Sequence, residues 1–421
     1  MIENTKRKFS LAEIVFILFI VMSTVTGVGY YIYCIGHGII QYTTYPESIM
    51  SGAGRIASLI RYSKDILMIF LFVIVLIQTF PIVDKFFVYF IMFVAYGAII
   101  GLFNGLSFAH IFAGVRCFIY FVTGVLFFRF YSIDKKILDV IYKITIALLC
   151  VQVVSVLMQV VISGTNNIGN GSYRYIGLFL HTGTLGNYAY AIAIFLAVFH
   201  LISKKFNLIR IFVEQCLCLL ISIASNSRLC IAGVLVNMII LLMSKMKVRK
   251  RAKELVTFST VILFLPFVLT EVLNKSGRGG LEASASGKFS FWSQAFSRDI
   301  VNVIVGNGLG YATQTTATLG INTSGYSGFD GTFSVIMAQF GVLGLVVFAM
   351  VLLAIVIKIL KCPGVAETAF KCNIVGGLLI FTWSGNIFEN ILLVTYYLLV
   401  YYMLRNSDEL EEGYCGKNKM D

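Results

Sequence analysis

Asp330 is the residue of this sequence whose position most invites chemistry. It lies in the stretch GFDGTF (328–333), directly before a long apolar segment. A carboxylate at the water-facing mouth of a membrane span can accept a proton from a substrate hydroxyl. An aspartate before an apolar helix is also a common N-cap, because its side chain binds free backbone N–H groups. The two roles are compatible, and the sequence leaves both open.

Three arginines near apolar segments form a second group of candidate functional residues. Arg174 follows NGSY, Arg228 ends the short polar stretch SNSR, and Arg116 lies inside an apolar run. A guanidinium group binds phosphate through paired hydrogen bonds and keeps its charge. Because a charge inside a membrane is costly without a partner, we expect these arginines to face a polar cavity that binds an anion. Snorkelling of Arg116 to the membrane surface is the alternative.

The composition restricts the fold that can position these residues. Of the 421 residues, 58% are hydrophobic and 13% are charged, whereas soluble domains carry about 25% charged residues. The apolar runs are continuous and about twenty residues long, which indicates membrane-spanning helices and excludes the alternating pattern of a β-barrel. We therefore predict a single, all-α, polytopic membrane domain over residues 1–421. It contains about twelve predicted spans, at 11–34, 65–83, 86–105, 108–128, 137–162, 182–202, 207–225, 229–243, 254–272, 331–357, 373–387 and 390–405.

The net charge of +13 is explained by membrane topology and does not indicate a nucleic-acid partner. Lysine and arginine are concentrated in SKMKVRKRAK (244–253), and cytoplasmic loops of membrane proteins carry such an excess. With that segment inside, both termini are predicted to be cytoplasmic. The expected partner is therefore the lipid bilayer, with no nucleic acid. The cysteines and histidines lack metal-binding spacing, so we expect no metal.

The longest predicted outer loop, residues 273–330 between the ninth and tenth spans, is expected to take part in function. Its middle, KFSFWSQAFSRDIVNVIV (288–305), has aromatic residues at helical spacing and predicts an amphipathic helix in the membrane interface. Trp292 and Arg298 belong to this helix. His181 opens the sixth span, where it is either a helix cap or a site residue. The other acidic residues predicted on the outer side are Glu47, Glu282, Asp299 and Glu389.

Several of these stretches, in this order, resemble the O-antigen polymerase and O-antigen ligase superfamily. RYIGLFLHTGTLGNY (174–188) resembles the R-x-x-G-x-F segment of that family, and SNSR (225–228) resembles its S-x-S-R hairpin. W-x-x-A-F (292–296) followed by IVGNGLGY (304–311) resembles the pattern of its large loop. GFDGTFSVIMAQFGVLGL (328–345) resembles the stretch that leads into its next span.

The resemblance implies a GT-C-type glycosyltransferase that acts on undecaprenyl-pyrophosphate-linked oligosaccharides, with no nucleotide sugar, metal or other cofactor. It implies an active site on the outer face of the bacterial cytoplasmic membrane. The implied catalytic residues are Asp330, Arg174 and Arg228: the arginines would stabilise the pyrophosphate leaving group, and the aspartate would take the acceptor proton. We expect further substrate contacts from Arg116, His181, Tyr173, Arg298 and Trp292.

The branch of the family stays open, as do functions outside it. Ligases typically carry a His-Asn pair where this chain has Asp330-Gly331, which favours a polymerase of capsular, O-antigen or exopolysaccharide chains. A chain-length regulator and a flippase are then candidate partners. O-antigen ligase-type transfer to an acceptor is one alternative. A polysaccharide flippase or other transporter is another, although the sequence shows no internal repeat of the kind that transporters have.

Overall fold

The computed structural model describes most of the chain, and every regular element of that part is an α-helix. The described residues are 9–37, 52–79, 84–163, 174–203, 207–244, 299–311, 331–362 and 368–410, together with the single positions 290, 293, 313, 315, 316 and 321. The helices, in chain order, are α1 (Leu11–Thr24), α2 (Val28–Gly36), α3 (Gly54–Thr79), α4 (Lys85–Phe103), α5 (Phe108–Phe130), α6 (Lys135–Ser163), α7 (Thr182–Ser203), α8 (Leu208–Ala224), α9 (Arg228–Ser244), α10 (Ile300–Val305), α11 (Thr332–Lys361), α12 (Thr368–Ser384) and α13 (Ile391–Arg405).

Each predicted span overlaps a helix, apart from 254–272, which lies outside the described residues. The span predicted at 11–34 is divided between α1 and α2, and α3 begins at Gly54, before the span predicted at 65–83. Within the described part, 6 helical stretches are long and apolar enough to cross a membrane: Leu11–Gly36, Lys85–Phe103, Phe108–Phe130, Lys135–Ile162, Thr182–Ser203 and Thr332–Lys361. The chain is therefore an all-helical, membrane-embedded protein. Of the predicted amphipathic stretch 288–305, the described part contains α10.

Helix α7 lies at the centre of the bundle. Its apolar window is 89% buried, against 11% for α4 and 22% for α11, which lie at the periphery. Helices α8, α9 and α13 pack around α7. The Phe195 ring of α7 lies 5.4 Å from the Tyr396 ring of α13, and both side chains are fully buried. A helix that is apolar on all sides is expected in such a central position.

Contacts between helix termini define two ends of the bundle. We call the end at which α5, α7, α9, α11 and α13 begin the site end, and the opposite one the far end. At the far end, the Asp84 carboxylate caps α4 and lies 2.9 Å from Nε of Arg129 in the last turn of α5. Buried Glu214 of α8 bonds there to His200 of α7 and to Tyr142 of α6. That the far end faces the cytoplasm stays a prediction.

A non-helical segment, residues 174–180, runs through a break between α1 and α2. The Gly27 N–H in this break donates to the Leu178 carbonyl at 2.7 Å. Gln152 of α6 bonds to both the end of α1 and the non-helical segment. Its Nε2 donates to the Thr24 carbonyl at 2.8 Å, and its Oε1 accepts from the Leu178 N–H at 3.0 Å. Non-helical backbone is tolerated within a membrane protein's bundle where its polar groups find such partners.

A second non-helical segment, residues 306–310, lies against a break in α11. The break is at Gly341, whose φ of 65° and ψ of −165° interrupt the helix. The Gly308 N–H donates to the Gln339 carbonyl at 2.9 Å, which satisfies a carbonyl next to the break. These residues form the stretch GNGLG (306–310), which the structure places inside the bundle, where they are buried.

The glycines of this second segment are required by close backbone contacts. The Leu309 N–H donates to the Gly97 carbonyl of α4 at 2.8 Å, and the Leu309 side chain is fully buried. Gly310 has a φ of 85°, and a Cβ atom there would lie 1.8 Å from the carbonyl oxygen of His110 in α5. Only glycine combines the positive φ with this approach.

Candidate functional site

A cavity of about 150 Å³ lies where the first non-helical segment meets the break between α1 and α2. Its charged wall residues are Lys64 of α3 and Glu389 of the loop between α12 and α13, which have opposite charges. A polar cavity with ionisable side chains in an apolar bundle is the first candidate for a functional site. The complete described wall is Ser23, Thr26, Lys64, Leu180, Thr184, Glu389, Ile391 and Leu392.

Lys64, Asp65 and Arg116 form a group of charges beside this cavity, which we call the basic cluster. Nη2 of Arg116 lies 2.8 and 3.1 Å from the two oxygens of Asp65, and Nζ of Lys64 lies 2.9 Å from Asp65 Oδ1. Two cations therefore share one carboxylate, which leaves the cluster with an excess positive charge. Arg116 is thus held by a partner in α3 instead of snorkelling, as an arginine beside a polar cavity requires.

Glu389 uses one carboxylate oxygen for hydrogen bonds within the protein. The backbone N–H and the hydroxyl of Thr315 both donate to Oε1, each at 3.1 Å. The thiol sulfur of Cys117, the residue after Arg116, lies 3.8 Å from the same oxygen. Oε2 is buried and meets no hydrogen-bond donor at bonding distance and angle among the residues that the structure describes. Within the part of the chain that the structure describes, Oε2 therefore lacks a well-formed hydrogen bond.

The surroundings of Glu389 change its acidity. Burial raises the pKa of the Glu389 carboxyl above its usual range, because the charged form loses its hydration. The hydrogen bonds from Thr315, the side chain of Asn386 and the charge of Arg116 lower this pKa but do not cancel the effect of burial. The result is a stronger base than an exposed glutamate.

The loop that carries Glu389 is tied to the start of α11. The Thr332 N–H and hydroxyl both donate to the Gly385 carbonyl, at 3.0 and 2.9 Å. The same hydroxyl oxygen accepts from the Ile387 N–H at 2.9 Å. Two positions before Thr332 stands Asp330, which lies outside the described residues. The loop of Glu389 is therefore fixed against Thr332, the first residue of α11, which belongs to the stretch GFDGTF (328–333).

Arg174 and Arg228 lie on segments that bond to each other. The Tyr175 N–H donates to the Ala224 carbonyl at 3.0 Å, and Nε of Arg174 donates to the Ser225 carbonyl at 3.4 Å. Arg228 is the first residue of α9, directly after this turn. The segments that carry the two motif arginines are thus in contact, although neither arginine is among the described residues that line the cavity. Their catalytic roles stay predictions.

Asn187 of α7 connects the turn before α9 with the loop of Glu389. Its Nδ2 donates to Oδ1 of Asn390 at 3.0 Å, and its Oδ1 lies 3.6 Å from the sulfur of Cys230 in α9. Close packing supports the same contact, because a Cβ at Gly186 would lie 2.5 Å from Cβ of Ser227. The polar loops of the site end therefore form one connected layer.

The remaining predicted site residues are placed as follows. His181 is exposed, and its Nδ1 accepts from the Gly183 N–H at 2.9 Å, which is the capping interaction that the sequence offers as one of its two roles. Tyr173, Trp292, Arg298 and Asp330 lie outside the described residues, so their roles stay predictions.

Sequence reasoning missed Lys64 and Asp65 and gave Glu389 no role. The signal for the first two is an adjacent Lys-Asp pair at the start of an apolar run, which is unusual because both charges then lie at the membrane boundary. Glu389 stands out only as an acid in the polar stretch SGNIFEN. Its importance comes from Thr315 and the cavity, which are contacts over long sequence distance that no local pattern records.

Comparison with known proteins gives no family assignment. No family model matches the chain, and no curated protein and no solved structure matches it significantly. Within the described residues, no group of three or more His, Cys, Asp or Glu side chains could hold a metal ion. The function is therefore inferred from the chemistry of the site.

Proposed function

We propose that the chain is a membrane glycosyltransferase that joins undecaprenyl-pyrophosphate-linked oligosaccharide repeat units into a capsular, O-antigen or exopolysaccharide chain. The observation that carries the proposal is the cavity between the basic cluster and Glu389, set in an apolar bundle. In this proposal the protein is of the GT-C type with about twelve spans. Its site end faces outward from the bacterial cytoplasmic membrane, and both termini are cytoplasmic.

The charges of the site suit the two demands of this reaction. A pyrophosphate leaving group gains negative charge as the glycosidic bond breaks, and fixed cations stabilise it. The excess positive charge of the basic cluster meets this demand, and Arg174 and Arg228 are proposed to contribute to the same anion site. The attacking sugar hydroxyl must lose a proton, which a positioned carboxylate can accept; the resemblance gives this role to Asp330.

The two non-helical segments support the proposal from the architecture. Residues 174–180 and 306–310 lie within stretches that resemble family motifs, and both segments are packed within the bundle by hydrogen bonds of their backbone groups. Irregular backbone within a membrane bundle is tolerated where it is buried or lines a cavity. The first segment ends at Leu180, which belongs to the cavity wall.

The breaks at residues 25–27 and at Gly341 favour a second candidate function. Transporters bind substrates where membrane helices are discontinuous, with half-helix ends and open backbone groups at the site. A flippase for the same lipid-linked units would also need a cavity with positive charge. The two functions differ in outcome, because a flippase moves a unit without changing its covalent structure. Ligase-type transfer to another acceptor differs from polymerisation in leaving the chain length unchanged.

Deletion of the gene, followed by separation of surface glycans and lipid-linked intermediates on a gel, tests the proposal. We expect single repeat units at the cell surface and no long polymer. Long polymer that remains on its lipid would instead indicate a ligase. Units retained on the cytoplasmic side would indicate a flippase, and unchanged glycans would contradict all three functions.

A further inference from the structure

Glu389 combines a place in the cavity wall with a carboxylate oxygen that has no donor among the described residues. Thr315 holds Oε1 in place through two hydrogen bonds of 3.1 Å. Oε2 is buried and has no hydrogen-bond donor within the described part of the chain, and the residue belongs to the cavity wall. Buried polar atoms in folded proteins are nearly always bonded, and the cavity that Glu389 helps to line is the route by which a substrate hydroxyl can reach this oxygen.

We propose that Glu389 accepts the proton of the sugar hydroxyl that attacks the lipid-linked donor. This inference rests on the proposed function and changes its catalytic assignment, which the resemblance gives to Asp330. A positioned carboxylate of raised basicity is what general-base catalysis near neutral pH requires. Burial, which raises the pKa of this carboxyl, supplies that property.

The proposed step balances in atoms and charge. The acceptor hydroxyl oxygen forms a bond to the anomeric carbon of the donor sugar, while the bond from that carbon to the pyrophosphate oxygen breaks. The hydroxyl proton passes to Oε2 of Glu389, and the bonding electrons leave with undecaprenyl pyrophosphate. Loss of the proton from Glu389 to water then restores the carboxylate for the next unit.

The groups that face Glu389 suit this division of roles. Arg116 and Cys117 face it from α5, Thr315 from the predicted outer loop, and Lys64 from α3 across the cavity. Asp65 lies behind Lys64 and Arg116, where it is paired with both. The cavity wall therefore contains both a cation, Lys64, for the leaving group and a carboxylate, Glu389, for the proton.

The test is the rate of chain extension by purified full-length protein in lipid vesicles, with undecaprenyl-pyrophosphate-linked repeat units as substrate. For Glu389→Gln, which keeps the shape and the Thr315 contacts, we expect turnover to fall by about a hundredfold or more, with KM for the lipid-linked unit unchanged. Glu409→Gln, an exposed glutamate at the far end, is the matched control and is expected to extend chains at the wild-type rate.

The pH profile separates a proton acceptor from a structural residue. The rising limb of wild-type turnover follows ionisation of Glu389. Thr315→Val removes one hydrogen bond that lowers the Glu389 pKa, so this limb should move to higher pH. A merely structural role would lower turnover at every pH without moving the limb.

Three outcomes would overturn the inference. Wild-type protein that leaves the units unjoined contradicts the proposed function and this inference with it. Wild-type extension together with full activity of Glu389→Gln leaves the proposed function standing and removes Glu389 as proton acceptor. The same holds if Asp330→Asn abolishes the rising limb while Glu389→Gln keeps it, since the proton acceptor is then Asp330.

Discussion

Arg116 and Arg129 show how the same residue type serves two purposes in one helix. Both lie in α5 and pair with an aspartate, at 2.8 Å to Asp65 and at 2.9 Å to Asp84. The Asp65 carboxylate that binds Arg116 also binds Lys64, which lines the cavity. The ion pair between Arg129 and Asp84 instead joins the end of α5 to the start of α4 at the far end. The cations beside the cavity belong to the proposed anion site, whereas Arg129 at the far end does not.

Arg116→Ala is expected to lower the turnover of chain extension by about a hundredfold, because one charge that stabilises the leaving group is lost. The measurement is the extension rate in vesicles, normalised to inserted protein. Arg129→Ala is the control, since it removes a similar ion pair from the far end and should leave the rate near that of the wild type. Equal losses in both variants would show that the effect is structural.

Glu389→Gln is expected to make the folded protein more heat-stable at neutral pH while inactivating it. Since burial raises the pKa of Glu389, the folded state binds this proton more tightly than the unfolded chain. The resulting stability is complete below the unfolded pKa and is lost as the pH rises through the folded pKa. Glutamine stays neutral, so the variant avoids this loss.

Thermal unfolding in detergent between about pH 4, near the ordinary pKa of glutamate, and about pH 8 measures the effect. The midpoint of the variant should exceed that of the wild type at the higher pH, and the difference should shrink toward the lower pH. A variant that is less stable than the wild type at every pH would mean that ionised Glu389 is stabilised by its surroundings.

At the scale of elements, the apolar runs were sufficient to predict the helices but not the segments between them. A continuous apolar run predicts a helix because the backbone must pair within itself in a membrane. The span predicted at 11–34 contains a break at residues 25–27, because Gln152 and Leu178 supply hydrogen bonds there. Partners so distant in sequence leave no periodic signal, and the same is true of the break at Gly341.

Gly310→Ala is expected to prevent the second non-helical segment from packing. The added methyl group would lie 1.8 Å from the His110 carbonyl oxygen, which backbone atoms cannot accommodate without a shift of α5. We expect a lower yield of folded protein and a lower unfolding temperature. Gly105→Ala is the matched control: Gly105 also has a positive φ, of 75°, but nothing lies within 4 Å of its added Cβ.

The Gly105 variant should show only the cost of a left-handed backbone, about 1–2 kcal/mol. The difference between the two variants therefore isolates the steric contact between the segment and α5. If Gly310→Ala and Gly105→Ala lose the same stability, the segment does not need its close approach to α5.

For the whole molecule, the apolar composition predicted an all-helical membrane protein but not the composition of the cavity. Composition and run length decide the fold class, because only helices bury so apolar a chain in a bilayer. The cavity depends on Lys64, Glu389 and the break between α1 and α2, which meet only after packing. The roles that the sequence predicts for Asp330 and for the outer-loop residues outside the described part stay predictions.

The covalent fate of the substrate tests the central claim most directly. Purified wild-type protein in vesicles is given undecaprenyl-pyrophosphate-linked repeat units, and the products are measured as glycan length and as released undecaprenyl pyrophosphate. We predict a ladder of chains that grow by whole repeat units, with one undecaprenyl pyrophosphate released for each unit joined. Units that cross the bilayer with their length unchanged and no lipid pyrophosphate released would contradict the proposed glycosyltransferase and identify a transporter.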